Sequence, residues 1–314
     1  MARHHTLTSK PDNIQWGAFG AGLPPVLTID DGDTVTIETL SGSEKQVPDD
    51  ARDQMLDDHR ELLATRSWIM PGHILTGPVA VRGAKPGDVL EVRVKALELR
   101  QDWAWNAIEP LRGTLPEDFP ERRLMKVPLD RARRVAKLPW GVDLPLSPFF
   151  GVMGVAPPPG WGTITSIIPR AHGGNLDVKE LGAGGTLYFP VFVDGANFSC
   201  GDGHAVQGDG EVCLSAAETA LTGTLEFHIR RDLAHDLPRA ETATHYITLA
   251  FDPDLDDAAK TALREMIKLI RERSNLSAED AYSLCSFAAD MRISQLVNQH
   301  KGCHCMLPKA ALHG

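Results

Sequence analysis

The sequence predicts a β-rich α+β protein, and three observations carry that expectation. β-Branched and alternating segments fill most of the first 250 residues. Turn formers are abundant, with 28 Gly and 22 Pro among 314 residues, above the usual combined share of about 12%. Helical periodicity of any strength comes only afterwards, from Leu255 on. Strands followed by helices indicate α+β and not an alternating α/β chain.

The elements follow in order. Asp30-Asp31-Gly32-Asp33 is a turn, and Thr34 to Leu40 reads as a strand. Between Asp49 and Arg66, Met55, Leu56, His59, Leu62 and Leu63 fall on one side of a helix. Val89 to Leu99 alternates apolar and charged residues, the pattern of a half-buried strand. Arg100 to Gly162 is rich in Pro and Trp and gives no clear element. Thr186 to Val193 is a strand with an internal proline, so an edge position or a bulge is expected. Thr224 to Arg230 and Thr244 to Phe251 are further strands. Leu255 to Arg273 carries an apolar helical face, and Ser277 is a plausible N-cap for a helix reaching about Met291. No internal repeat is visible.

Length gives a prior of about two domains. We expect a mainly β part over 1–165 with one helix. A metal-site β region with an α+β C-terminal part follows over 166–314, the two intertwined. The net charge of −10 argues against nucleic acid or an anionic membrane as the main partner. The first ten residues have no apolar core like that of a signal peptide, and no apolar run is long enough to span a bilayer. Five cysteines in such a chain read as reduced thiols of a cytoplasmic protein. Cys303-His304-Cys305 lacks the second half of a metal site and reads as a turn or strand.

Chemistry concentrates in one stretch. Residues 172–177 read HGGNLD, residues 195–211 read GANFSCGDGHAVQGDGE, and Glu218 lies seven residues beyond. Asp202 and His204 are two apart, and on an extended backbone their side chains share a face and can grip one cation. A carboxylate and imidazole set favours a borderline divalent ion, zinc first. A solvated Gly/Asp turn region is the plainer alternative. No GxSxG elbow occurs. Cys200 is a weak nucleophile candidate, because Asp202 nearby raises a thiol pKa.

At these residues the sequence resembles the acetamidase/formamidase family. The shared pieces run along nearly the whole chain: 73–79 (HILTGPV), 84–89 (AKPGDV), 148–157 (PFFGVMGVAP), HGGNLD, 186–191 (TLYFPV), 201–211 (GDGHAVQGDGE) and 292–302 around RISQLVNQ. The resemblance implies a β-sandwich, jelly-roll-like, with a β-barrel core and smaller α+β elements. It also implies a cytoplasmic homo-oligomer and hydrolysis of short amides such as formamide or acetamide to ammonia and acid. It adds Asp177, Glu218 and His73 to Asp202 and His204 as metal ligands. A divalent metal would acidify the attacking water and polarise the carbonyl. Glu211 is then the candidate general base, Asn175 a holder of the carbonyl or oxyanion, and His172 a ligand, a proton shuttle or a loop histidine. The other histidines, His313 among them, have no local constellation.

The sequence departs from the family at 102–111, where Trp103, Trp105 and Glu109 stand in place of smaller residues. That leaves a bulkier or aromatic amide as an alternative substrate. A non-catalytic metal-binding β-sandwich and a cysteine amidase are the remaining readings.

Overall fold

The computed structural model describes residues 2–312. Strands make up 39% and helices 18% of the described residues. A nine-stranded and an eleven-stranded sheet hold most of the strands, with a two-stranded sheet beside them. The barrel expectation is not met: among the described residues no sheet closes on itself. The nine-stranded sheet has two open edges, His4–Leu7 at one side and Asp290–Gln295 at the other. Each large sheet draws strands from both sides of residue 165.

Alternation places the core. Val35, Ile37, Val92 and Leu225 of the nine-stranded sheet share one apolar cluster with Val79, Phe150, Phe198 and Cys200 of the eleven-stranded sheet. In strand Leu221–Arg230 every second residue is buried, the signature of one face on the core and one facing out. Helix Leu255–Arg273 lays Ala258, Ala262, Met266 and Ile270 against Tyr246, Cys303, Cys305 and Leu307. Ser277 caps the next helix by accepting from the Asp280 N–H at 3.0 Å, and that helix ends at Ala288, short of Met291.

Three expectations change. The single helix at 49–66 is a 3-10 turn, Asp49–Gln54, then an α-helix, Asp57–Thr65. The Arg60 guanidinium sits over the break and donates to the carbonyls of Arg52, Asp53 and Met55. Thr186–Pro190 is an interior strand, flanked by Val89–Leu99 and Arg239–Glu241. Its proline is tolerated because the ladder to Arg239–Glu241 covers only Thr186 to Tyr188, so Pro190 omits no bond there. The unassigned middle region holds strands Trp103–Ile108, Arg123–Asp130 and Phe149–Gly154. Cys303-His304-Cys305 lies in strand Lys301–Pro308, with both thiols in the apolar layer.

Asp33 ties the N-terminal strand to the nine-stranded sheet. Its buried carboxylate accepts from the backbone N–H of Arg3 at 2.7 Å and of Asp30 at 3.0 Å, and pairs with His5 Nε2 at 2.8 Å. Burial pushes this carboxyl up, but those bonds and the His5 charge win and hold it at about 2, below its ordinary 3.8. The ionised form is favoured by folding, so its stabilisation is complete above pH 3.8 and is lost as pH falls toward 2. Asp33→Asn is expected to cost about 1–3 kcal/mol at pH 7 and to flatten the acid limb of a stability–pH profile from urea titrations. An unchanged acid limb would remove Asp33 from this role.

Candidate active site

The site forms where the strand Phe198–His204 meets loops from both large sheets. Phe198, Cys200, Asp202 and His204 would all share one face of a regular strand. They divide: Phe198 and Cys200 lie in the apolar core, while Asp202 and His204 face a polar cluster. Asp202 has φ +56° and stands at the break. Asp202 and His204 thus lie side by side, brought together by a left-handed residue and not by an extended backbone.

Four carboxylates surround the Nε2 atom of His204. Asp202 Oδ2 and Glu218 Oε1 are each 3.3 Å away, and Asp177 Oδ1 and Glu211 Oε1 are each 4.0 Å away. All five side chains are buried. Two overlapping sets have metal-binding geometry: Asp177, His204 and Glu211, and Asp202, His204 and Glu218. Glu218 is the cross-strand neighbour of His204. Asp177 and Glu211 come from loops and, like Asp202, have left-handed backbones, with φ +51° and +43°. Non-glycine residues hold that conformation at a cost of order 1–3 kcal/mol each, and such residues collect at functional sites.

Neighbouring groups aim the side chains of this cluster. Gln207 Nε2 donates to the carbonyl of Asp177 at 2.8 Å, which turns Gln207 Oε1 toward His204 Nδ1, also at 2.8 Å. Nδ1 is thereby engaged by Gln207, and Nε2 is the nitrogen that faces the carboxylates. Asn298 Nδ2 donates to Asp177 Oδ2 at 2.5 Å. Three buried atoms at the centre have no hydrogen-bond partner: His204 Nε2, Asp177 Oδ1 and Glu218 Oε2. Gly151 forms the floor, where a Cβ would stand 2.6 Å from Asp177 Oδ1 and 2.7 Å from Asp202 Oδ2. Orphaned donor atoms of hard and borderline type around a space kept open by glycine fit a divalent cation.

The charges tell the same story. Burial, reinforced by neighbouring carboxylates, pushes Asp177, Glu211 and Glu218 above their ordinary values against the pull of His204. For His204, burial works downward, but Glu218 and Asp202 outweigh it and raise the imidazole well above 6.5. Burial works upward on Asp202, yet His73 and His204 hold it below the usual carboxylate range.

The cluster opens into a cavity of about 720 Å³, lined by Asp202, Glu211 and Glu218 among others. Asn175 lines it too, with its Oδ1 buried and unpartnered. His73 lies at the wall, its Nε2 3.8 Å from Asp202 Oδ2 and its Nδ1 3.0 Å from Ser166 Oγ. It belongs to neither metal-competent set. His172 is not brought to the cavity. Its ring meets Phe19 edge-on at 4.9 Å, and burial together with Arg170 pushes it down to about 3. Cys200 sits in the apolar core, where burial pushes its thiol far up, out of the range of an activated nucleophile. His313 lies outside the described residues. Sequence reasoning missed Asn298, which is 121 residues from Asp177, and Gly151, whose role is an absent side chain.

The profile of the Acetamidase/Formamidase family matches residues 10–165 and 159–313. The chain belongs to this family. A recombinant predicted acetamidase/formamidase from the thermophile Thermoanaerobacter tengcongensis superposes with a TM-score of 0.87 at 31% identity, over 100% of this chain and 98% of that one. An acetamidase from Bacillus halodurans gives 0.84 at 31% identity, over 98% of each chain. A formamidase from Methylophilus methylotrophus is 27% identical over 258 residues, 66% of this chain. The matched stretch spans 61% to 64% of the curated relatives' length, less than two thirds. Among the described residues no helix is long and apolar enough to cross a membrane.

Two outcomes follow for this site. Gly151→Ala puts a methyl group among the ligand atoms and is expected to weaken zinc binding roughly 10- to 100-fold, the scale of disturbing a ligand's supporting contacts; competition with a chromogenic chelator reads it. In metal-free protein, Asp177, Glu211, Glu218 and His204 titrate above their ordinary values, so their protonated forms favour folding. Stability is then present at low pH and lost as pH rises past 4.5 and on through 6.5. Asp202, shifted the other way, opposes this only near its ordinary 3.8. Thermal melts of chelated protein from pH 5 to 9 are expected to fall, and added zinc to flatten the fall. A chelated protein whose melting point is level across that range would contradict the buried-charge account.

Proposed function

We propose that the chain hydrolyses a primary amide to a carboxylate and ammonia, with a divalent metal, zinc first, held by Asp177, Asp202, His204 and Glu218. The observation that carries this is the convergence of four buried carboxylates on one unpartnered imidazole nitrogen at the base of a cavity. The relatives named formamidase and acetamidase supply the bond type, and formamide and acetamide are its smallest bearers. A cation bound here supplies Lewis acidity toward water and carbonyl oxygen.

The rest of the chemistry belongs to side chains. Glu211 faces both the cluster and the cavity. It takes the proton of the attacking water and returns it to the leaving nitrogen, as a general base and then acid. Asn175 donates from its amide to the substrate carbonyl oxygen and fixes its orientation. His73, held by Ser166, borders Asp202 and steadies its charge. The surrounding burial excludes bulk water and strengthens each of these interactions. The homo-oligomer and the cytoplasmic setting implied by the resemblance rest on the family alone, and sedimentation tests the first.

The test is ammonia release from an amide panel by purified protein, before and after chelation, with zinc restored. Activity should vanish with chelation and return with zinc. Asp202→Ala and His204→Ala should each lower kcat/KM on the order of 10²- to 10³-fold, the scale of losing one electrostatic partner. Metal retention with no ammonia from any amide would reduce the chain to a metal-binding module.

A further inference from the structure

Trp105 stands in the same cross-sheet row as the cluster. Phe149, His204, Glu218 and Trp105 are successive register partners across four adjacent strands. Register partners point to one face with Cβ atoms about 4.5–5.5 Å apart. Trp105 therefore adjoins Glu218 on the side away from His204, and it lines the cavity. Trp103, two residues earlier in the strand, packs in the same apolar cluster as Trp105 but does not border the cavity. Trp103 is sealed in the core, and its Nε1 donates to the carbonyl of Gln54 at 3.3 Å. Beyond Trp105 on the same face comes Ala107, a small side chain that also borders the cavity.

One edge of the indole is covered by backbone. Gly42 has φ +96°, and a Cβ there would come 2.9 Å from Trp105 Nε1. The backbone thus closes directly on the indole edge. Trp16 and Leu214 continue the apolar lining. The space is far larger than a minimal amide requires. At about 30 Å³ per water-sized group, a four-atom amide such as acetamide fills on the order of 120 Å³. The cavity offers about 720 Å³, within the range of pockets that bind drug-sized molecules.

We propose that Trp105 is the wall of an acyl subsite, and that the preferred substrates are primary amides whose acyl group carries a ring-sized apolar substituent. This rests on the amide-hydrolysis reading and adds the substrate class. The amide lies at the cluster, and the ring lies along Trp105 between Gly42 and Ala107. Formamide and acetamide leave that wall uncovered.

The experiment compares phenylacetamide with acetamide on the zinc-loaded wild-type protein, by calorimetric binding and by ammonia release. Phenylacetamide should bind roughly 10- to 100-fold more tightly, the effect of burying one ring-sized apolar group, and its kcat/KM should exceed that of acetamide by a similar factor. Trp105→Leu should lower this preference about tenfold with zinc content unchanged, and Trp105→Phe should retain most of it. The wild-type comparison decides even if Trp105→Leu does not fold. Ammonia from acetamide with no preference for phenylacetamide in either measurement overturns the subsite and leaves amide hydrolysis standing. Tight phenylacetamide binding with no ammonia from any amide keeps the subsite and overturns hydrolysis.

Discussion

The constraint on which this site depends is charge. Four carboxylates lie within 4.0 Å of one buried imidazole nitrogen, and together they cannot all be ionised in a dry interior without a compensating cation. Without one, protons must remain where carboxylates would otherwise lose them, which is the direction in which Asp177, Glu211 and Glu218 are shifted. A divalent ion held here would remove that burden and satisfy the orphaned atoms together. The local backbone is shaped to the same end. Asp177, Asp202 and Glu211 accept left-handed conformations, and Gly151 leaves out a side chain where one would fill the centre.

The two large sheets hold this arrangement in place. His204 and Glu218 sit on hydrogen-bonded neighbours, so their separation is set by the ladder. The loop bearing Glu211 is tied to the far sheet. Asp209 pairs with Lys179 at 2.9 Å and with Arg292 at 2.7 Å, and the Gly210 N–H reaches the Ser294 carbonyl at 3.1 Å. Asn298, from the segment after Asp290–Gln295, reaches Asp177. The C-terminal strands therefore serve the site as well as the helical layer. Cys303 and Cys305 face that layer as small apolar groups, and burial pushes their thiols up to about 11 and about 12, which disfavours the thiolate a metal would need.

Much of the fold was legible because local pattern and tertiary burial agree. The alternation in Val89–Leu99 and the periodicity in Leu255–Arg273 predict the observed elements residue for residue. The exceptions have local causes. Arg60 breaks the 49–66 helix by capping the carbonyls of its first turn. Pro190 escapes the edge rule by lying past the end of one ladder. The strands between 103 and 154 were hidden among prolines and tryptophans, whose composition resembles a loop.

By itself the sequence pointed to a cluster of carboxylates and imidazoles: Asp202 and His204 by their spacing, and Asp177, Glu218 and His73 as expectations from the family resemblance. It also determined the β-rich class, because alternation is written locally. Only the tertiary structure decided which of these groups converge. It set His73 beside Asp202 but outside the ligand sets, buried His172 against Phe19, and brought Glu211 to the imidazole. It also packed Trp103 and Trp105 in one apolar cluster and brought only Trp105 to the cavity wall. These outcomes depend on strand register and on contacts between residues far apart in the chain, and neither leaves a trace in local spacing.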